Sequence, residues 1–566
     1  MQFIVKKLLV IVLITSPFLL KAQSALLPQG TKHQPLLDRL EIKLQRNADL
    51  NLLTARPISR SRAVSIGEQA DSIQKAGGKL LSTVDQANLQ SLLMNNSEWV
   101  TGSTETFLSK KPLLGFLYKY KANAVEVHEK DFFLALNPVL QPQLSTESGN
   151  SERLFLNTKG VSFRGLIAKK IGFSAYLTDN QERGPRFFEQ RIDSMNAVPG
   201  VGFYKTFKKT ASDYFDGRGS IHFNATKYLD MQFGYDKNFI GNGYRSLFLS
   251  DHGNSYLFLK INTRIWKLNY MNLFMELSPQ TPGINAGNKL LEKKYAAVHH
   301  LSVNATPWLN IGLFEAVLFG RKDHFDFTYL NPIMFLRIAE QQNGSADNAL
   351  VGLDFKANVA KRAQFYGQVL FDEFLLRELR SGKGWWANKF AIQLGGKYID
   401  AFGIKNLDLQ GEINTARPFT YSHFDSVSNH SHYNQPLAHP LGANFFETIG
   451  MIRYQPHPKW TTSLRLIFWQ QGWDSTGTNA NYGSDIFKLN QTRSAGDYGY
   501  SVGSGVKGKG INAQWVLSYE WKENLYLELS ALYRKLSKPT GVTVAPDASV
   551  ISAGIRMNMF RREYDY

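Results

Sequence analysis

Two stretches gather residues able to hold a ligand. The first is Asp236-Lys237-Asn238-Phe239-Ile240-Gly241-Asn242-Gly243-Tyr244-Arg245-Ser246-Leu247. It follows an alternating run in which Leu229, Met231, Phe233 and Tyr235 share one face, so Asp236 and Asn238 take the other. Gly241 and Gly243 permit a tight turn with positive φ. Arg245, with Tyr244 beside it, offers a planar fork for a carboxylate such as a uronic acid. The competing reading is an inward-folded loop held by an Asp236–Arg245 contact. The glycines lack the strand-to-helix setting of a phosphate-binding loop.

The second stretch, 347–374, reads as a hairpin about Ala360–Arg362. Alternation sends Val351, Leu353, Phe355, Ala357 and Val359 to one face and Asp354, Lys356 and Asn358 to the other. On the partner strand Gln364, Tyr366, Gln368 and Asp372 join the polar face, with Glu373 at its end. Inward Asp408, Gln410 and Glu412 come from another strand. Such a wall is a polar track for a glycan or solute, or an interior sealed by salt bridges and hydrogen bonds.

Catalysis is not expected. Asp372 and Glu373 are adjacent, so on a regular strand they point to opposite faces, which suits no paired-carboxylate hydrolysis. His299-His300 splits across the sheet in the same way. His430-Ser431-His432 falls in a polar loop, where weak adventitious metal binding is the default. With no cysteine, disulfides, thiolate metal sites and thiol nucleophiles are excluded. No cofactor and no metal site is expected.

The elements that must position these residues are strands. From 131 to 560 the chain reads as short alternating segments; in 511–521, Ile511, Ala513, Trp515, Leu517, Tyr519 and Trp521 fall on one face and Asn512, Gln514, Val516, Ser518 and Glu520 on the other. Short connections near 169, 228, 266, 308, 361, 402, 458 and 523 alternate with long polar ones. This predicts an all-β transmembrane barrel of about 18 antiparallel strands, apolar outside and wet inside. Trp266, Trp308, Trp460 and Trp521 lie at short turns, where a periplasmic aromatic girdle belongs. The last strand is expected over 550–560, and 118–127 is expected to be a periplasmic lead-in.

Residues 1–22 read as a signal peptide: basic Lys6 and Lys7, an apolar run 8–20, and a cleavage site near Ala22. Residues 23–130 read as a small N-terminal α-helical periplasmic domain with the lead-in, placed beside the barrel. A plug is the less favoured alternative. Helices are expected over 35–44, 59–75 and 83–99, the last with Thr83 and Gln86 as a capping box. Residues 131–566 form the barrel in the bacterial outer membrane, with long loops extracellular. The 566 residues carry 65 Lys+Arg against 47 Asp+Glu, a formal charge of +18. Mean hydropathy of −0.27 excludes a bundle of membrane helices. In this setting the charge suits outer-membrane lipid, lipopolysaccharide or acidic surface polysaccharide rather than nucleic acid.

The block from Gly241 to Ser250 resembles the Gly-x-Gly…Ser-Leu-x-Leu-Ser block of Wzi-type capsule-assembly outer-membrane proteins, with Ile240-Gly241-Asn242-Gly243 where an aromatic-Gly-Pro-Gly is usual. Asp347-Asn348…Gly352-Leu353-Asp354-Phe355 and Tyr366-Gly367-Gln368…Asp372-Glu373 resemble a second block of that family. Asn157-Thr158-Lys159-Gly160-Val161, Gly172–Thr178 and Asp236–Gly241 are similar to its RemB-like branch in gliding bacteria. The resemblance runs from about Arg39 onward. It implies eighteen strands with a periplasmic helical bundle, and a role in attaching surface polysaccharide or in surface motility alongside gliding or secretion proteins. Candidate polysaccharide contacts are Asp236, Asn238, Tyr244, Arg245, Asp354, Tyr366, Gln368, Asp372 and Glu373. A porin-like solute channel is the alternative function.

Overall fold

The computed structural model describes residues 25–279, 290–322, 324–333, 335–344 and 346–566. The expected signal peptide lies outside the described residues.

Eighteen antiparallel strands close into one barrel. They are β1 (Phe132–Glu147), β2 (Leu154–Ile167), β3 (Ile171–Arg183), β4 (Ala211–Asn224), β5 (Leu229–Asp236) and β6 (Tyr256–Ile265). Next come β7 (Leu268–Leu277), β8 (Lys294–Thr306), β9 (Leu309–Phe319), β10 (Asn348–Val359), β11 (Ala363–Glu373) and β12 (Lys389–Tyr398). The ring is completed by β13 (Leu407–Ala416), β14 (Phe445–His457), β15 (Trp460–Trp473), β16 (Val506–Lys522), β17 (Leu525–Leu536) and β18 (Ala548–Met557). On β16 the expected alternation is seen: Trp515 and Trp521 are exposed while Asn512, Gln514 and Ser518 are buried. Trp266, Trp308, Trp460 and Trp521 are all exposed at the short-turn end. The tightest turns use left-handed non-glycine pairs, Ala168-Lys169 and Ala360-Lys361, the conformation whose twist matches a hairpin.

Two expectations change at the seam. β18 pairs with β1 from Val550↔Glu147 to Met557↔Leu140 and stops there, short of the expected Phe560. The lower edge of β1 is completed by Val125–His128, with Val125 opposite Leu136 and His128 opposite Phe133. The end of the lead-in is thus part of the wall, because an unpaired edge in lipid leaves backbone groups unsatisfied. Residues 558–566 turn into the lumen.

The N-terminal helices are α1 (Gln34–Leu44), α2 (Ala48–Asn51), α3 (Arg60–Lys75) and α4 (Thr83–Met94). Leu36, Leu37, Leu40, Ile66, Leu89 and Leu92 form their core. The capping box on α4 is one residue earlier than expected: Ser82 is extended and its side chain accepts from Asp85 N, while the Asp85 side chain accepts from Ser82 N. Thr83 is already helical, so it cannot be the cap.

This helical unit does not stand beside the barrel; it lies across the short-turn mouth. Its contacts circle the ring: Arg164–Glu98 at 3.0 Å, Lys356–Glu41 at 2.6 Å, Arg39–Asp400 at 2.8 Å, Asn88–Gln455 at 2.9 Å and Asn524–Asn95 at 2.8 Å. At its centre Asp85 holds Arg39 at 2.8 Å and Lys43 at 2.7 Å. Burial pushes the Asp85 carboxyl up, but the hydrogen bonds and charges of Arg39 and Lys43 outweigh it and hold it below the ordinary carboxylate range. No described helix is long and apolar enough to cross a membrane.

Candidate functional site

The loop between β5 and β6, residues 237–255, folds into the barrel. Phe239-Ile240 forms a two-residue antiparallel ladder with Ala55-Arg56 of the cap, and Gly241 N donates to Thr54 O at 3.1 Å. Leu247, Phe248 and Leu249 are buried, and Phe248 stacks on Phe314 with centroids 4.3 Å apart. That approach requires Gly352, where a Cβ would lie 2.4 Å from the Phe248 ring.

Polar side chains of the wall form the socket. Glu412 accepts from Tyr244 N at 2.7 Å, Arg245 N at 3.0 Å and the Tyr366 hydroxyl at 2.8 Å. Gln368 accepts from Leu247 N at 2.8 Å and donates to Ile240 O at 3.0 Å. Gln393 donates to Arg245 O at 2.9 Å. Gly243 serves close approach rather than a positive-φ turn: a Cβ there would meet Glu412 Oε2 at 2.4 Å.

Arg245 does grip a carboxylate, but it is Asp565 of the inward tail, not Asp236. Nη1 donates to Asp565 Oδ2 at 2.8 Å and Nη2 to Asp565 O at 2.6 Å, with Glu447 at 3.5 Å. The Tyr244 hydroxyl also donates to Asp565 and accepts from Arg465 at 2.6 Å. Asp236 caps the next backbone amide, Lys237 N, at 2.8 Å, and Asn238 accepts from Lys260 at 2.9 Å. These two lie on the β5–β6 side, apart from Arg245.

The second predicted wall divides. Asp354 pairs with His300 at 2.7 Å. Gln368 holds the inward loop directly, and Tyr366 braces it through Glu412. Asp372 and Glu373 do share one partner, Lys389, at 2.9 and 3.0 Å, despite being adjacent. A register shift between Phe371 and Glu373 is the bulge that permits it. Asp372 also accepts from Tyr421 N at 2.8 Å. Asp354 thus joins two strands, while Gln368 and Asp372 also fasten inward loops. The polar-track expectation gives way here to the sealed-interior one.

Sequence reasoning missed the tail. Arg561 reaches Glu528 at 2.7 Å, the Tyr564 hydroxyl donates to Glu182, and Tyr566 is buried. The signal was the run Arg561-Arg562-Glu563-Tyr564-Asp565-Tyr566, which is too charged for a lipid-facing strand. His430 and His432, expected in an open polar loop, are buried inside 417–444. Burial lowers them to about 3 and about 4. Among the described residues no cluster fit for a metal is found.

At the long-loop end three loops interlock. Phe419 N donates to Gly483 O at 2.8 Å and Trp386 N to Asp497 O at 3.0 Å. Phe419 packs edge-on against Trp386 and Tyr500, and Arg493 lies 4.1 Å over Trp386. Exposed basic side chains lie on two of the long loops: Lys205, Lys208 and Lys209 between β3 and β4, and Arg377, Arg380 and Lys383 between β11 and β12. On the outer wall just below the rim, Lys507 and Lys509 of β16 and Lys535 of β17 are exposed. Lys535 is opposite Ile511 in register, so the three share one outward face.

The loop 320–347 behaves differently from its neighbours. Its helix α5 (Leu336–Gln342) folds over the outside of the wall. Tyr329, Leu336 and Ala339 bury Phe274, Tyr295, Ala297, Val317 and Phe319. Beneath it the outward pair His299–Glu315 is closed at 2.8 Å, and Glu315 also accepts from Leu336 N at 2.9 Å. Phe327, Ile333, Phe335 and Ile338 are left exposed on the loop.

No protein-family model matches the sequence, and no curated protein sequence matches it. Among solved structures the chain is similar to Wzi of Escherichia coli, described as an outer membrane protein involved in group 1 capsule assembly and a carbohydrate-binding β-barrel. Identity is 14%, the match covers 95% of this chain and 99% of that one, and the TM-score is 0.54. Further matches are OprD of Pseudomonas aeruginosa, at 11% identity over 75% of this chain and 94% of that one with TM-score 0.41, and OccAB4 of Acinetobacter baumannii, at 10% over 76% and 98% with TM-score 0.41. Identities this low establish a Wzi-like barrel fold and do not single out the gliding-associated branch.

Proposed function

We propose that this chain is a non-enzymatic outer-membrane barrel that attaches or organises polysaccharide at the cell surface, with the helical cap on the periplasmic side. The observation that carries this reading is the filling of the lumen. The cap closes one mouth, the inward loop and tail occupy the middle, and the interlocked loops cover the other end. A barrel of this size conducts solutes only when its interior is left open, so the investment in a closed interior speaks for a scaffold rather than a pore.

Because the predicted lumen residues are engaged internally, glycan contact falls to the rim. The lysines at 205, 208 and 209 and the Arg377/Arg380/Lys383 loop give an acidic polysaccharide a basic surface beside exposed Tyr498. Lys507, Lys509 and Lys535 sit where phosphorylated headgroups of lipopolysaccharide meet the wall. The Wzi-like fold adds support, since that protein is described as binding carbohydrate.

The test is a deletion strain in which cell-bound and shed surface glycan are compared at equal total synthesis, alongside colony spreading. A shift from bound to shed, restored by the wild-type gene but not by a Lys205→Gln/Lys208→Gln/Lys209→Gln variant, is expected. An unchanged ratio with lost spreading would move the role to the gliding apparatus, and no change in either would overturn the proposal. Planar-bilayer recording of the purified protein should show no large stable pore.

A further inference from the structure

Between the strap 26–33, the tail at 558–560 and the inner wall of β1–β4 lies a cavity of about 200 Å³. A cavity of about 150 Å³ admits benzene, so this one has room for a single sugar ring. Its lining mixes aromatic faces, Tyr176 and Phe560, with several cations and one acid, Asp236.

The cations are not equivalent. Arg164, Arg218, Arg556 and Lys32 each hold a carboxylate within 3.0 Å. Lys237 and Arg60 hold none among the described residues. Lys237 is only 8% exposed, and its ammonium donates to a single neutral acceptor, Asp251 O, at 3.1 Å. Arg60 donates to Leu26 O at 3.1 Å, the Asn96 amide oxygen at 2.7 Å and Asn95 O at 3.4 Å, all neutral. Enclosed charges are ordinarily paired; here Asp216 and Asp251 act on Lys237 and Glu98 acts on Arg60 only from beyond ion-pair distance, and both cations line the same ring-sized space.

We propose that this cavity binds a small anionic ligand, a sugar unit bearing a carboxylate or phosphate, with Lys237 and Arg60 as its counter-charges and Tyr176 and Phe560 flanking its ring. The site is in the short-turn half of the lumen, remote from the rim. It therefore stands independently of the surface-glycan reading above.

The test uses the purified full-length protein in detergent, titrated with glucuronate, glucose and inorganic phosphate by calorimetry and ligand-observed NMR. Saturable binding of glucuronate or phosphate is expected, with glucose at least about tenfold weaker. Lys237→Gln and Arg60→Gln should each weaken the anion at least about fivefold while the barrel keeps its heat-modifiable migration on gels. A preference for glucuronate assigns an acidic sugar, and phosphate competing equally assigns a phosphorylated one. The proposal falls if neither anion saturates, if glucose binds equally well, or if a folded variant binds as wild type. Since the probes are single sugar units, such a failure leaves the glycan-retention result untouched.

Discussion

Two loops leave the same end of the barrel and fold to opposite sides of its wall. The 237–255 loop turns inward and is held by hydrogen bonds to Glu412, Gln368 and Gln393 and by the Arg245–Asp565 pair. The 320–347 loop turns outward and is held by apolar burial against Phe274, Val317 and Phe319, with His299–Glu315 beneath it. The inward loop meets a wet face whose acceptors require donors, so its backbone amides carry the docking. The outward loop meets an apolar face, so aromatic and aliphatic side chains carry it. The two residues of His299-His300 show the same split within one strand. Each has an acid partner, but one pair is closed by the lumen network and the other by a helix laid over the wall.

If that division holds, changes to one loop should leave the other alone. Glu412→Ala strands three donors at about 1–3 kcal/mol each. It should release the inward loop, seen as conductance gained over the wild type in planar bilayers, while protease resistance of 320–347 is unchanged. A silent variant would mean that the socket does not hold the loop.

Asp85→Ala leaves Arg39 and Lys43 buried without their acid, at about 3–5 kcal/mol. The cap should become protease-sensitive, and the inward loop with it, because they share a ladder. The same response should follow acidification of the wild type. Asp85 is depressed when folded, so its contribution is complete above its ordinary value near 3.8 and is lost as pH falls through the lower folded value. Cap release that begins well above pH 5 would assign the effect to other groups.

Leu336→Ala removes the centre of the outward loop's contact, at about 2–5 kcal/mol. Cleavage within 320–347 in vesicle-embedded protein should accelerate by an order of magnitude or more with no new conductance. Channel activity in this variant would show the two loops to be coupled. The smallest effect belongs to Lys507→Gln, Lys509→Gln and Lys535→Gln, at about 1 kcal/mol per lysine against an anionic headgroup layer. Native mass spectrometry should show less co-purifying lipopolysaccharide, with stability unchanged.

The wall was legible in the sequence because period-two alternation in lipid admits one reading per strand, and the short turns punctuate it. The inward course of 237–255 was open from its glycines and polar residues, but its partner was not. Arg245 meets Asp565 across 320 residues, and no local pattern encodes that pairing. The cap's position was hidden for the same reason, since its contacts are polar pairs scattered around the ring. The outward loop was hidden differently: Tyr295, Ala297 and Val317 would face lipid equally well. The clue was His299 with Glu315, two ionisable residues on a face that should be apolar. Asp372 is inward and Glu373 exposed, as alternation suggests, but the bulge at Phe371–Glu373 lets both reach Lys389, which strict alternation of neighbours does not foresee.

The ladder between Ala55-Arg56 and Phe239-Ile240 joins a segment anchored at one mouth to a loop anchored at the other. The barrel is thus a sleeve around a continuous rod of its own chain. Pulling the loop outward must unzip the ladder or drag the cap, and anything that braces the cap must stiffen the loop. Such coupling is reciprocal by thermodynamic necessity. A load applied at one face would be felt at the other, with nothing passing between them.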